Sequence, residues 1–360
     1  MDKDRIDRTI KQAISKGVFP GAVLLCAVNQ KIVLHESYGM ANVFKQEKMR
    51  KDHIFDLASL TKPLATALAI SKLIEWHQVS LDQTLGSILT EFKSTEKTNI
   101  TIDMLLRHTS GFPAHKEYFK KIIPANKNPN QYLRHLLVHE VLENKIDTCQ
   151  VYSDLGFMVL SWIIETITGQ RLDRFVSDQV YTPLEIEDLF FIDLNQKKDR
   201  FHPYAQKMVA TQQCPWRRRL LVGEVDDENA WAVGGIQGHA GLFGGAGGIY
   251  TLCCEILNAV QNTPTTVLAP DIIKRFVVRK NHGDMVAGFD TPSKENSASG
   301  RYFSTLSLGH LGFTGTSFWI DPETSVIIVL LTNRGHPLRS NEGINIFRPQ
   351  LHDLIYSELM

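Results

Sequence analysis

Apolar residues recur at helical spacing in 2–17, where Ile6, Ile10, Ala13 and Ile14 share one face, and the pattern stops at Gly17 and Pro20-Gly21. GAVLLCAV (21–28) and KIVLHESYG (31–39) follow as two strand-like runs, and the short Asn29-Gln30 connection predicts an antiparallel hairpin. Near the other end, TSFWIDP (316–322) and VIIVLLTN (326–333) predict a second strand pair around a tight Pro322-Glu323 turn, and 343–358 predicts a closing helix. The two termini therefore read as parts of one sheet.

Between them the period changes. Residues 63–76, 130–144, 154–168 and 171–180 carry apolar positions at helical spacing, separated by polar loops rich in Gly, Pro, Asn and Lys. The stretches 107–130 and 193–250 read as long loops, which in compact domains are commonly functional. The expected fold is mixed α/β (α+β): an antiparallel sheet built from both chain ends, flanked by helices, with an inserted helical subdomain. A sheet-containing part would comprise 1–62 and 285–360, and a mainly helical part with long loops 63–284, together forming one catalytic unit.

Composition narrows the function. With 360 residues, 43% of them hydrophobic and 22% charged, the chain has the profile of a globular protein large enough for a deep, dry site. Thirty-nine basic side chains balance 39 acidic ones, so no electrostatic footprint for nucleic acid exists, and Arg217-Arg218-Arg219 beside Pro215 and Trp216 reads as a solvated loop. The five cysteines (Cys26, Cys149, Cys214, Cys253, Cys254) lack C-x-x-C spacing and predict buried thiols rather than disulfides or a zinc knuckle. The charged N-terminus has no apolar leader and no segment approaches the ~20 apolar residues of a membrane span, so a cytoplasmic location is expected.

The strongest chemical feature is Ser59-Leu-Thr-Lys62, running into an apolar helix. Three residues apart on a first helical turn, the hydroxyl and the amine share a face. A hydroxyl needs a nearby base, and desolvation lowers a lysine's pKa from its usual ~10.4. The same spacing at Ser94 and Lys97 sits in a polar loop and carries no such expectation. Tyr152-Ser153-Asp154 opens the helix LGFMVLSWIIETITG, and a phenol near an ammonium would share in proton relay. A third element, Gly309-His310-Leu311-Gly312-Phe313-Thr314-Gly315-Thr316, leads into a strand; its glycines let backbone approach a ligand, and the N–H of Phe313 could donate to an oxyanion together with that of Ser59.

In this order and at these separations, Ser59-x-x-Lys62, Tyr152-x-Asp154 and His310-x-Gly312 resemble the three active-site motifs of the serine β-lactamase and penicillin-binding-protein superfamily, closest to its class C branch and the related DD-peptidases and esterases. LLRHTSGF (105–112), VSLDQTL (79–85), GFDTPS (288–293) and FWIDPE (318–323) extend the likeness over nearly the whole chain. The resemblance implies a sheet flanked by helices with the active site beside a helical subdomain. It implies Ser59 as acylated nucleophile, Lys62 as its base partner, Tyr152 as relay to the leaving group, and N–H groups of Ser59 and Phe313 as the oxyanion hole. Asp154 stands at the Asn position of the second motif and His310 at the Lys position of the third. Gly312 and Thr314 beside it are expected to meet substrate.

The departures bear on substrate. An ionised Asp154 only accepts hydrogen bonds, where an Asn would donate to an acyl-amide oxygen. It also favours protonated Lys62, which makes a Tyr152 phenolate the expected proton acceptor. Leu311 supplies no hydroxyl where a Thr would bind a substrate carboxylate, lowering the expectation of strong β-lactamase or D-Ala-D-Ala activity. A further stretch, Val225-Asp226-Asp227-Glu228-Asn229-Ala230 and then Gly234 to Phe243, resembles a segment of family members associated with cell-wall turnover; Asp227 and His239 are expected to line the substrate cleft. His135 and His139 have metal-ligand spacing but lack the Glu of H-E-x-x-H, because position 136 is Leu, and read as helix surface. The expected activity is hydrolysis of an ester or amide, with a peptidoglycan fragment as the guess from resemblance, through a Ser59 acyl-enzyme without metal or organic cofactor. The alternatives are a β-lactamase or DD-carboxypeptidase, and a non-catalytic scaffold of the same fold.

Overall fold

A computed structural model describes residues 2–196, 203–280 and 283–359. Its strands are β1 (Gly21–Val28), β2 (Lys31–Asn42), β3 (Glu47–Lys48), β4 (Phe55–Asp56), β5 (Leu189–Phe191), β6 (Ala210–Cys214), β7 (Arg219–Val222), β8 (Leu242–Gly244), β9 (Leu308–Leu311), β10 (Thr316–Asp321) and β11 (Val326–Thr332). Six of them form one antiparallel sheet in the order β3-β2-β1-β11-β10-β9. The predicted terminal hairpins are its two halves, joined where β1 pairs with β11, Ala22 opposite Thr332 and Val28 opposite Val326. Asn29 and Gln30 both have positive φ, 49° and 58°, the twist a two-residue hairpin turn requires.

Every residue of β11 is buried, because helices cover both faces of the sheet. Side chains alternate across a strand. Leu24, Cys26, Trp319 and Ile328 face the terminal helices Lys3–Ser15 and Ile344–Leu359 through Ile6, Ile10, Leu351 and Ile355. Val23, Leu25, Phe318 and Val329 face the other way, toward Ile249, Leu252 and Ile256 of the helix Ala246–Gln261. A separate core forms where the helix Asp154–Thr168 packs by Phe157, Leu160 and Ile163 against Ile70, Leu73 and Leu105.

The middle of the chain is less loop-like than its sequence suggests. The stretch 193–250 carries the β6–β7 hairpin, a helix Glu228–Ala232 and β8, while its residues 197–202 lie outside the described residues. The helix expected over 63–76 begins as a wide π-type turn, Lys62–Ala67, before the α-helix Leu68–Glu75. Arg217 is no solvated loop residue: its side chain is 1% exposed and donates to the carbonyls of Val225 and Asp226. All five cysteines are free. Among the described residues no helix is long and apolar enough to cross a membrane.

A small sheet brings two distant segments together. In the order β4-β8-β5, it pairs Asp56 with Phe243, so the chain just before Ser59 lies against the glycine-rich segment that carries His239.

Candidate active site

Ser59 sits in a single tight helical turn, Ala58–Leu60, that leads into Lys62. Ala58 has φ +47°, costly for a residue with a Cβ. Its N–H donates to Asp56 Oδ1 at 2.9 Å, which helps to hold that conformation. Lys62 is fully buried, and its Nζ lies 3.0 Å from Ser59 Oγ, 2.7 Å from Asp154 Oδ1 and 3.2 Å from the carbonyl of His239. Three acceptors meet the three protons of an ammonium. Burial alone pulls the Lys62 pKa down, but Asp154 and Tyr152 outweigh it and hold the pKa above its ordinary value.

Asp154 is the first residue of its helix, behind the capping Ser153, where the helix dipole favours negative charge. Its second oxygen meets His115 Nδ1 at 3.1 Å. Burial opposes its ionisation, yet Lys62, His115 and His239 drive its carboxyl far below the usual range. In return the hydrogen bond to Asp154 raises the pKa of His115, whose side chain is 43% exposed.

The Tyr152 ring lies 4.7 Å from Lys62 Nζ and is flanked by His108 and His310 at centroid distances of 4.7 and 5.9 Å. The expected phenolate is not the favoured state. Burial raises the Tyr152 pKa and the Asp154 charge adds to this, against the opposing pull of Lys62 and of hydrogen bonding with Lys62 and Ser59. The resting group is a neutral phenol beside an ammonium–carboxylate pair.

His310 approaches the same point from β9. Its Nδ1 donates to the Leu311 carbonyl at 2.9 Å, and burial, helped by Lys62, pushes its pKa down to about 3. It is neutral at physiological pH and does not replace the positive charge of a lysine. Gly312 belongs to the site for a steric reason: a Cβ there would stand 2.0 Å from Thr316 Oγ1 and 2.7 Å from the Leu57 carbonyl. Thr314 corrects the sequence reading. Its buried hydroxyl donates to the Asp56 carbonyl at 2.7 Å, so it anchors the β9–β10 turn to the Ser59 turn instead of meeting substrate.

Asp227 and His239 pair at 2.9 Å, Oδ1 to Nε2. Burial opposes the charge of Asp227, but His239 holds its pKa below the ordinary value. The neighbouring Asp226 is buried and accepts from Gln212 Nε2 at 2.5 Å through Oδ1; burial pushes its pKa up to about 6. Among the described residues, no group of three His, Cys, Asp or Glu side chains is placed to hold a metal ion.

A cavity of about 810 Å³ opens beside Ser59, lined also by Tyr152, Asp154, Asp227, His239, His310, Gly312 and Phe313. Its lining also holds three residues that sequence reasoning missed: Arg334, Arg339 and Arg348. Arg334 and Arg339 place their guanidinium groups 4.4 and 4.7 Å from the ring centre of Phe313. Arg339 pairs with Glu228. Arg348 is 2% exposed, its Nε has no hydrogen-bond partner among the described residues, and burial, with Arg334 adding to it, pushes its pKa down to about 10. His115 was missed as well; its one signal was its place just after LLRHTSGF (105–112).

Comparison with known proteins gives the family and the fold. The Beta-lactamase family model matches residues 6–351. An Escherichia coli (strain K12) protein named "Putative D-alanyl-D-alanine carboxypeptidase" is 30% identical over 365 residues, covering 92% of this chain and 82% of that one. Among solved structures, "EstCE1, a hydrolase with promiscuous acyltransferase activity" superposes with a TM-score of 0.76 at 20% identity over 98% of both chains. The octameric penicillin-binding protein homologue from Pyrococcus abyssi gives 0.76 at 18% identity, over 99% of this chain and 78% of that one.

Proposed function

The chain belongs to the beta-lactamase family, and on that premise we propose that it is a serine hydrolase acting on an ester or amide through a Ser59 acyl-enzyme. The observation that carries this reading is the 3.0 Å contact between Ser59 Oγ and the buried Lys62 Nζ at the wall of an open cavity. In the proposed reaction Oγ attacks the substrate carbonyl carbon as its proton passes to Lys62 Nζ, while Nζ passes one of its own to Tyr152, which gives its phenol proton to the leaving group. The carbonyl electron pair moves to oxygen, where the N–H groups of Ser59 and Phe313 are the proposed donors. Tyr152, a neutral phenol between Lys62 and the cavity, protonates the leaving group as the bond to it breaks. Water then attacks the acyl-enzyme by the same route in reverse and releases the acid.

The arginines of the cavity bear on the substrate. Arg348, buried and with its Nε unpartnered among the described residues, is matched to a carboxylate, and Asp227 with His239 lines the same cavity. A carboxylate-bearing acyl compound, such as the peptide end of a peptidoglycan fragment, satisfies both. The name of the Escherichia coli relative favours D-Ala-D-Ala carboxypeptidase activity as a second reading. Against strong penicillin recognition stands Asp154, whose oxygens are occupied by Lys62 and His115 and can donate nothing.

Mass spectrometry after treatment with a fluorophosphonate and, separately, with penicillin tests the reading, using wild type and Ser59→Ala. Adduct on Ser59 from the phosphonate alone supports an esterase or amidase. Adduct from both supports the carboxypeptidase reading. A folded wild-type protein that takes neither label would be a scaffold and not an acyl hydrolase.

A further inference from the structure

The segment GFDTPS (288–293) contributes Asp290 to the wall of the cavity that holds Ser59. Its backbone is fixed on two sides. Asp290 exchanges N–H to carbonyl hydrogen bonds with Gly309 of β9 at 2.8 and 2.9 Å, and Gly288 packs so closely on Ala67, in the turn after Lys62, that a Cβ would stand 2.5 Å from that of Ala67. Asp290 Oδ1 accepts the Thr291 N–H at 2.9 Å. Oδ2 meets no donor among the described residues and stays open to the cavity.

The other carboxyl groups of this wall are already matched. Asp154 pairs with Lys62, Asp227 with His239 and Glu228 with Arg339, Asp226 is held by Gln212, and Glu342 is exposed to solvent. Asp290 is half-buried and has no cation among the described residues. The charged groups acting on it are Asp284 and Arg279, and Arg279 is committed to Asp284 at 3.8 Å and to the carbonyls of Pro292 and Thr305. His310, next to Gly309 on β9, is neutral and offers no charge. A carboxylate partly removed from water without a positive partner is unfavourable, and a bound cation offsets that.

We propose that Asp290 binds an ammonium group of the substrate, which is then an acyl compound with a protonated amine remote from its scissile carbonyl. The proposal rests on the acyl-hydrolase reading of this cavity and names what the cavity selects. From Gly309 beside Asp290 to Gly312 beside the proposed oxyanion donor, extended chain covers about 10 Å. An amine on the carbon next to the carbonyl falls short of that span, whereas one about two residue lengths away reaches the carboxyl. With Arg348 for a carboxylate, the cavity suits a zwitterionic acyl compound. Burial, with Asp284 adding to it, pushes the Asp290 pKa up to about 6 against the Thr291 N–H and Arg279. Above that pH the carboxylate holds the ammonium; as pH falls through it the carboxyl takes up a proton and the preference is lost.

The test compares the p-nitrophenyl esters of ε-aminohexanoate and heptanoate, equal in length, with an ammonium in one where the other has a methyl. At about pH 7.5 wild type should turn over the amine ester with a kcat/KM about 10- to 100-fold higher, chiefly through KM, the worth of one charged hydrogen bond. The ratio of the two values cancels titrations common to both esters and should fall toward unity below about pH 5. Asp290→Asn keeps an oxygen for the Thr291 N–H and should bring the two esters together at every pH, while Asp290→Glu, which retains the charge, should keep part of the preference. A merely structural role would slow both esters alike and leave their ratio in place. Equal kcat/KM for the two esters in wild type, or a preference that survives in Asp290→Asn, overturns the ammonium site and leaves the acyl-hydrolase reading standing. Hydrolysis of neither ester by folded wild type, with no fluorophosphonate adduct on Ser59, overturns both.

Discussion

Asp56 Oδ2 accepts the backbone N–H of Asp226 at 2.6 Å, while Oδ1 of the same carboxyl accepts that of Ala58 at 2.9 Å. One buried side chain thus ties the turn that presents Ser59 to the segment that presents Asp227. Asp56→Ala would strand two buried donors at about 1–3 kcal/mol each, so urea unfolding should show a loss of about 3 kcal/mol and Ser59 labelling should slow. A loss under about 1 kcal/mol would mean that both donors find other acceptors.

The same carboxyl makes stability depend on pH. Burial and the nearby Asp226 push the Asp56 pKa up to about 7. The unfolded value is near 3.9, so between the two the folded state binds the extra proton and this contribution to stability is lost as pH rises. The melting temperature of wild type relative to Asp56→Asn should therefore fall from about pH 4.5 to 7.5. Parallel curves would show that Asp56 does not titrate in that window.

Lys62 and Asp154 form a buried pair, and removing one partner strands the other. Lys62→Met should abolish activity and cost about 3–5 kcal/mol in chemical denaturation. Lys62→Met combined with Asp154→Leu should recover most of that stability and none of the activity. Equal destabilisation in the single and double variants would refute the pairing as the cause.

Tyr152→Phe removes one hydroxyl and leaves the ring against His108 and Lys62. Turnover of a chromogenic ester should fall by about 10²–10⁴-fold, with KM nearly constant, because a proton donor acts in the transition state. Undiminished turnover would take Tyr152 out of the mechanism.

Arg348→Met should raise KM for an ester that carries a carboxylate by about 10- to 100-fold, the worth of one charged hydrogen bond, and leave a neutral ester unaffected. If both esters respond alike, the anion is held elsewhere in the cavity.

Local pattern encodes only part of this molecule. Alternation and helical period located the terminal hairpins, the Asp154–Thr168 helix and the closing helix, because each buries a face that must recur along its own segment. The S-x-x-K spacing placed Ser59 and Lys62 on one face for the same reason. Pattern failed at 193–250, where β8 is held by β4 and β5 from far away in the chain, and at Arg217, whose burial depends on carbonyls of another loop.

By itself, then, the sequence determined the terminal hairpins and the long helices, and which residue types with acyl-transfer chemistry the chain carries. Only the tertiary structure decided their states. It set Asp154 against Lys62 from 92 residues away, put His115 behind Asp154, turned the Thr314 hydroxyl into an anchor, and brought Arg348 to the cavity. The physical reason is that a charge state answers to distance and burial in three dimensions, and those depend on how separate segments pack, which no periodicity along the chain encodes.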